Sequence, residues 1–168
     1  MNIMGIEKDN VINGPGLRVV LWVAGCSNKC EGCHNPETWD PTAGHSFLEI
    51  DKKEIFSLLE KEYCSGITFS GGDPFFPGNR EEIKKFAEEI KEKFPNKTIW
   101  AYTGFSFENI KNEEALNFID ILIDGRFVKT LKDGTAKWRG SSNQRIIKVK
   151  ESLQKNETVL YDPKIEEA

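Results

Sequence analysis

The sequence predicts an α/β fold, an open or partial β/α barrel, on three observations. Short apolar, β-branched runs alternate with longer stretches of helical period, which argues for a parallel sheet with helical crossovers. At 168 residues the chain is too short for an eight-unit barrel. The residues with chemical potential fall just after the predicted strands, at the edge where such sheets carry their sites.

The first strand is Leu17-Arg-Val-Val-Leu-Trp-Val23, bounded by Gly-Pro-Gly before it and Ala-Gly-Cys after it. Asp51-Lys-Lys-Glu54 has capping-box spacing for a helix to about residue 63, with Ile55, Leu58 and Leu59 on its inner face. Gly66-Ile-Thr-Phe-Ser70 follows as a second strand. Asn79 is placed to cap the next helix, in which Ile83, Phe86, Ala87, Ile90 and Phe94 recur at helical spacing. Thr98-Ile-Trp-Ala-Tyr-Thr103 is a third strand, residues 107 to about 118 a weaker helix, and Asp120-Ile-Leu-Ile-Asp124 a fourth strand. Gln144-Arg-Ile-Ile-Lys-Val149 suggests one more. The charged tail from about 150 is expected to be peripheral, on a single domain spanning 1–168.

Composition narrows the function. With 38% hydrophobic residues the chain can bury one substantial core but hardly two. A net charge of −4 leaves no basic footprint for phosphates, so nucleic acid is not expected as a partner. No apolar run approaches the roughly 20 residues of a membrane span, and the first ten residues lack the apolar core of an export signal. A cytoplasmic protein, away from membranes, is expected. Three of the four cysteines crowd between 26 and 33, and without an export signal such clustering favours metal over disulfide.

Cys26-Ser-Asn-Lys-Cys-Glu-Gly-Cys33 offers three thiolates from one loop. Iron–sulfur clusters ordinarily take four, so a three-cysteine site leaves one iron free for another ligand. The alternative is a closed zinc site completed by His34 or Cys64. Against it, neither Cys64 nor His45 brings a second knuckle, and Cys64 has the setting of a small core hydrophobe. Ser70-Gly-Gly-Asp-Pro74 follows the second strand; its glycines admit close approach of a ligand and Asp73 offers a carboxylate to a cationic group, although such residues also make ordinary turns. Thr103 and Asp124, at the next two strand ends, could line the same pocket or bind a cation, a simple turn being the plainer reading of each. Arg18 and Arg139 could meet a ligand or partner, but solvated arginines are commoner. His34 could support the cysteines or merely sit in the loop; Trp39, Trp100 and Trp138 read as packing residues.

Together CxxxCxxC after the first strand and Ser70-Gly-Gly-Asp73 after the second resemble the radical S-adenosylmethionine superfamily. The resemblance implies a partial barrel of that type, with a 4Fe–4S cluster on Cys26, Cys30 and Cys33. It implies S-adenosylmethionine chelated at the open iron through its amino and carboxylate groups, with Gly71, Gly72 and Asp73 holding the amino group; Ser70, Thr103 and Asp124 are the further candidates for cofactor binding. Two positions depart from the common pattern: Asp73 stands where Glu is frequent, and Gly32 where an aromatic is. On this reading Gly72→Val should weaken cofactor binding and spare the cluster.

Three further elements narrow the likeness: Asn13-Gly-Pro-Gly-Leu-Arg18, Cys33-His-Asn-Pro-Glu-Thr-Trp39 and Trp138-Arg-Gly-Ser-Ser-Asn-Gln144. They are similar to the glycyl-radical activases of anaerobic (class III) ribonucleoside-triphosphate reductases. The first two occur also in pyruvate formate-lyase activases; the third, with the short chain, favours the reductase branch. The implied activity is reductive cleavage of S-adenosylmethionine to a 5′-deoxyadenosyl radical that generates a glycyl radical on the anaerobic ribonucleotide reductase. A low-potential donor such as flavodoxin is implied as second partner. The competing expectations are another glycyl-radical activase, a radical enzyme acting on a small molecule, and a zinc-binding interaction module.

Overall fold

Every apolar run named above becomes a strand, and two further strands join them. The computed structural model, which describes residues 1–167, has β1 (Asn2–Asn10), β2 (Leu17–Val23), β3 (His45–Ser46), β4 (Cys64–Gly71), β5 (Thr98–Tyr102), β6 (Ile121–Asp124) and β7 (Arg145–Lys148). They form one sheet in the order β3-β1-β2-β4-β5-β6-β7. The four central strands, β2, β4, β5 and β6, are parallel; β1 and β7 flank them antiparallel. The sheet has two edges, β3 and β7. It is an open mixed α/β sheet, and closure into a barrel is not seen.

Alternation along the strands divides the core. Val19, Leu21 and Val23 of β2, Ile67 and Phe69 of β4, Ile99 and Ala101 of β5 and Leu122 of β6 pack in one cluster with the helices α1 (Glu49–Leu59) and α2 (Arg80–Lys93). Residues of the opposite parity, Trp100, Ile121, Ile123 and Ile146, form a second cluster roofed by Tyr102, Trp138 and Tyr161. Trp100 meets Trp138 and Tyr161 edge-on at 5.0 and 5.5 Å between ring centres. The tail beyond residue 150 is therefore tied to the sheet rather than only peripheral: Tyr161 N–H bonds Ile146 O, and Ser152 of α4 (Val149–Lys155) is buried.

Local chemistry shifts several boundaries. Asp51 is the third residue of α1, not its cap: its carboxylate accepts from the Leu48 N–H at 2.7 Å, and the helix begins at Glu49 and ends at Leu59. The helix expected over 107–118 breaks into α3 (Phe107–Ile110) and a 3₁₀ turn over Glu114–Phe118. Asn79 precedes α2 but makes no cap bond; buried, it donates instead to Ala24 O and Asp73 O, 2.8 and 3.1 Å away. Arg18 is fully buried, overturning its solvated reading. It donates to Thr68 Oγ1, Ile67 O and both oxygens of Thr98, and burial lowers its pKa to about 10.

Candidate iron–sulfur site at the strand ends

The carboxyl ends of β2, β4, β5 and β6 lie side by side, because these strands are parallel neighbours with Val23 opposite Gly71, Phe69 opposite Ala101 and Tyr102 opposite Ile123. The loop after β2 carries Cys26, Cys30 and Cys33, all free and partly exposed. Its bends use left-handed backbone at Lys29 and Gly32, and the Cys33 N–H closes a turn on Cys30 O. The Asn35 N–H points to Cys33 Sγ at 3.4 Å and Asn28 Nδ2 to Cys26 Sγ at 3.7 Å. Burial pushes the Cys26 thiol up, against the pull of the Asn28 N–H.

Cys64 is out of reach. It sits at the start of β4 opposite Leu17, whereas the cysteine loop leaves the far end of β2, six residues and about 20 Å of strand away. Buried, with its thiol on Gly66 O, it is the core residue the sequence suggested. His34 is exposed and leans on Phe127 at 5.8 Å between ring centres. Among the described residues no three His, Cys, Asp or Glu side chains converge on one point as a single metal ion requires. The donor chemistry still fits a cluster: three unpaired thiols on one loop, two of them met by N–H groups of the kind that stabilise cluster sulfurs.

The Gly-Gly-Asp turn is built against this loop. The turn is fastened by Gly72 N–H to Val23 O at 2.7 Å and Asp73 N–H to Gly25 O at 2.8 Å. A Cβ at Gly72 would lie 2.5 Å from Gly25 O and 2.9 Å from Thr38 O, so glycine is required there by the backbone that leads into Cys26. Gly71 has φ +102°, and a Cβ would meet Val23 O at 2.6 Å. Ser70 is buried at the end of β4 opposite Trp22.

Asp73 does not present the free carboxylate expected of it. It is 1% exposed, and its oxygens accept from the Phe75 and Gly104 N–H groups at 2.8 and 2.9 Å, the Thr103 hydroxyl at 2.9 Å and Asn28 Nδ2 at 3.1 Å. It gathers the loops after β2, β4 and β5 into one rim. Thr103 belongs to that rim through Asp73. Burial pushes the Asp73 carboxyl up to about 6, opposed by those same donors. Because the folded value lies above the ordinary 3.8, the unfolded chain loses its proton first, and this group's contribution to stability declines as pH rises from about 4 to about 6. Denaturant unfolding of the metal-free, reduced protein should show that decline, on the order of 3 kcal/mol at most, and Asp73→Asn should lack it. Equal pH slopes in the two proteins would contradict a raised pKa.

Asp124 is drawn away from the other candidates. Its buried carboxylate accepts from the Phe107 N–H at 2.7 Å and from Arg145 Nε at 3.0 Å, while Arg145 also pairs with Glu108. It serves as the anchor of α3 and β7. Arg145→Met would leave a buried carboxylate without its cation, and unfolding by urea should show a loss of about 3 kcal/mol; a loss below about 0.5 kcal/mol would mean that the pair carries little.

The segment after β6 completes the rim, a role that nothing in the pattern of residues 126–129 announces. Arg126 donates to Asn28 O, Lys129 pairs with Glu31, and Phe127 and the Lys129 stem lie over Gly32. Gln144, within the Trp138–Gln144 element, holds that segment: its Oε1 accepts from the Gly140 and Ser141 N–H groups and its Nε2 donates to Gly125 O. Arg139 donates to Gln144 O, an intramolecular role in place of the solvated one. Trp138 packs on Trp100 in left-handed backbone, φ +59°.

Residues 12–147 match the family model described as a 4Fe-4S single cluster domain. The match spans the cysteine loop, the Gly-Gly-Asp turn and the Gln144 strap, and so sets the class: a 4Fe-4S single cluster domain. Among curated relatives, the anaerobic ribonucleoside-triphosphate reductase-activating protein of Enterobacteria phage T4 is 47% identical over 146 residues, covering 87% of this chain and 93% of its own. Proteins of the same name from Escherichia coli K12 and Haemophilus influenzae are 39% and 37% identical, over 86% and 89% of this chain and 96% and 99% of theirs. The chain belongs to the anaerobic ribonucleoside-triphosphate reductase-activating protein family.

Proposed function

We propose that the protein activates anaerobic ribonucleotide reductase by reductive cleavage of S-adenosylmethionine at a 4Fe–4S cluster. The observation that carries this reading is the placement of three unpaired thiols on one strand-end loop, locked by backbone bonds to a Gly-Gly-Asp turn at the neighbouring strand end. When bound, cluster and cofactor would supply a 5′-deoxyadenosyl radical able to take hydrogen from a glycine Cα of the reductase.

The chain's own residues bind, position and exclude water. Cys26, Cys30 and Cys33 supply the thiolates. Asp73, bonded to three loops at once, fixes the distance between the cysteine loop and the backbone of Ser70, Gly71 and Gly72, where the amino group of the cofactor would be held. Arg126, Phe127 and Lys129 brace the cysteine loop from the segment after β6. The open sheet leaves room for a glycine-bearing loop of a large partner, and a low-potential donor such as flavodoxin would supply the electron. Among the described residues no helix is long and apolar enough to cross a membrane.

Mass spectrometry of the anaerobically reconstituted protein tests the reading. With dithionite and S-adenosylmethionine, methionine and 5′-deoxyadenosine should form together, and neither without reductant. Absence of both from cluster-loaded protein and its partner would overturn it.

A further inference from the structure

The cysteine loop and the Asp73 turn meet at one side chain that the sequence did not single out. Asn28 Nδ2 lies 3.7 Å from Cys26 Sγ and 3.1 Å from Asp73 Oδ2. A thiolate and a carboxylate can only accept, so the amide must turn its NH₂ toward them, with one N–H available to each. Room for it is made by Gly104: a Cβ there would come within 2.1 Å of Asn28 Nδ2. The Gly104 N–H meanwhile bonds the same Asp73 oxygen at 2.9 Å. Arg126 holds the Asn28 carbonyl from the far side, so backbone and side chain of Asn28 are both fixed.

We propose that Asn28 is a positioning residue that raises the reduction potential of the cluster by donating to the Cys26 thiolate while its second N–H shields that thiolate from Asp73. The proposal rests on the reading that Cys26 is a cluster ligand. Reduction adds negative charge to the cluster and its thiolates, and an N–H donor favours the more negative state. Asp73 acts in the opposite sense, since a nearby carboxylate disfavours added negative charge. One amide set between them serves both ends: it stabilises the thiolate and offsets the carboxylate. A staple needed only for loop shape would be replaceable without consequence for the cluster's electron affinity; a donor to sulfur would not.

Redox titration of the reconstituted full-length protein, followed by the paramagnetic signal of the reduced cluster and without S-adenosylmethionine, separates these cases. Two variants reach the amide by independent routes: Asn28→Ala removes it, and Gly104→Ala displaces it by filling its space. Both midpoints should move to more negative potential at wild-type iron content. Wild-type midpoints in both would overturn the proposal. Should Asn28→Ala fail to keep its cluster, Gly104→Ala decides alone, a negative shift supporting the proposal and an unchanged midpoint refuting it. A wild-type protein that takes up no 4Fe–4S cluster would bring down the functional reading and this inference with it, whereas loaded wild-type with unmoved variants brings down the inference only.

Discussion

Replacing Cys26, Cys30 or Cys33 singly by alanine should abolish S-adenosylmethionine cleavage and lower cluster iron to near background, while Cys64→Ala keeps both. Each loop cysteine removes one of three thiolates in a site with no spare, because the fourth thiol lies at the opposite end of the sheet. The Cys64 side chain is buried and bonded to Gly66 O, so its loss trims the core and leaves the rim intact. Iron and sulfide analysis after anaerobic reconstitution reads the result. Loss of iron from Cys64→Ala as complete as from Cys30→Ala would contradict a three-thiolate site.

The second large effect is expected at Gly72, and its sense differs from the one the sequence suggests. From sequence, a valine there repels the cofactor alone. In the folded chain its Cβ would press on Gly25 O and Thr38 O, the backbone immediately before Cys26 and just beyond Cys33. The bond from Asp73 N–H to Gly25 O would break with it. Gly72→Val should therefore lower cluster occupancy and S-adenosylmethionine affinity together, by about tenfold in affinity, since strained backbone costs about 1–3 kcal/mol and about 1.4 kcal/mol is tenfold. Equilibrium binding beside iron analysis checks this; full cluster occupancy with lost affinity would favour the simpler reading, in which the glycine faces only ligand.

β2, β5 and β6 were legible because they are buried on both faces and so read as mainly apolar runs; β4 was legible from Ile67 and Phe69 between its glycines. β1 was not, for a physical reason. Its register shifts between Ile3 and Gly5 and again between Glu7 and Asn10, which destroys the period-two pattern, and only Ile3 and Asn10 of its nine residues are buried. Arg18 shows the complementary difficulty: nothing in one sequence tells that a guanidinium will find Thr68, Ile67 and Thr98 oxygens waiting inside the sheet.

In the candidate site, the gathering of three cysteines on one loop beside two glycines at the next strand end could be read from spacing and strand position, because both leave local marks. The parts assigned to Asp73 and Asp124 could not, since whether a strand-end carboxylate faces a ligand or the chain depends on partners 17 to 45 residues away. Asn28 lay between two candidate ligands in the sequence, but its link to Asp73 exists only once β2 and β4 are neighbours.

The most direct test of the account is paramagnetic resonance on the protein mixed without oxygen with anaerobic ribonucleotide reductase, S-adenosylmethionine and a reductant. A doublet from the remaining α-hydrogen of one glycine in the reductase should appear, and should collapse when that glycine is α-deuterated. A glycyl signal raised only with pyruvate formate-lyase, or no protein radical with either partner, would contradict it.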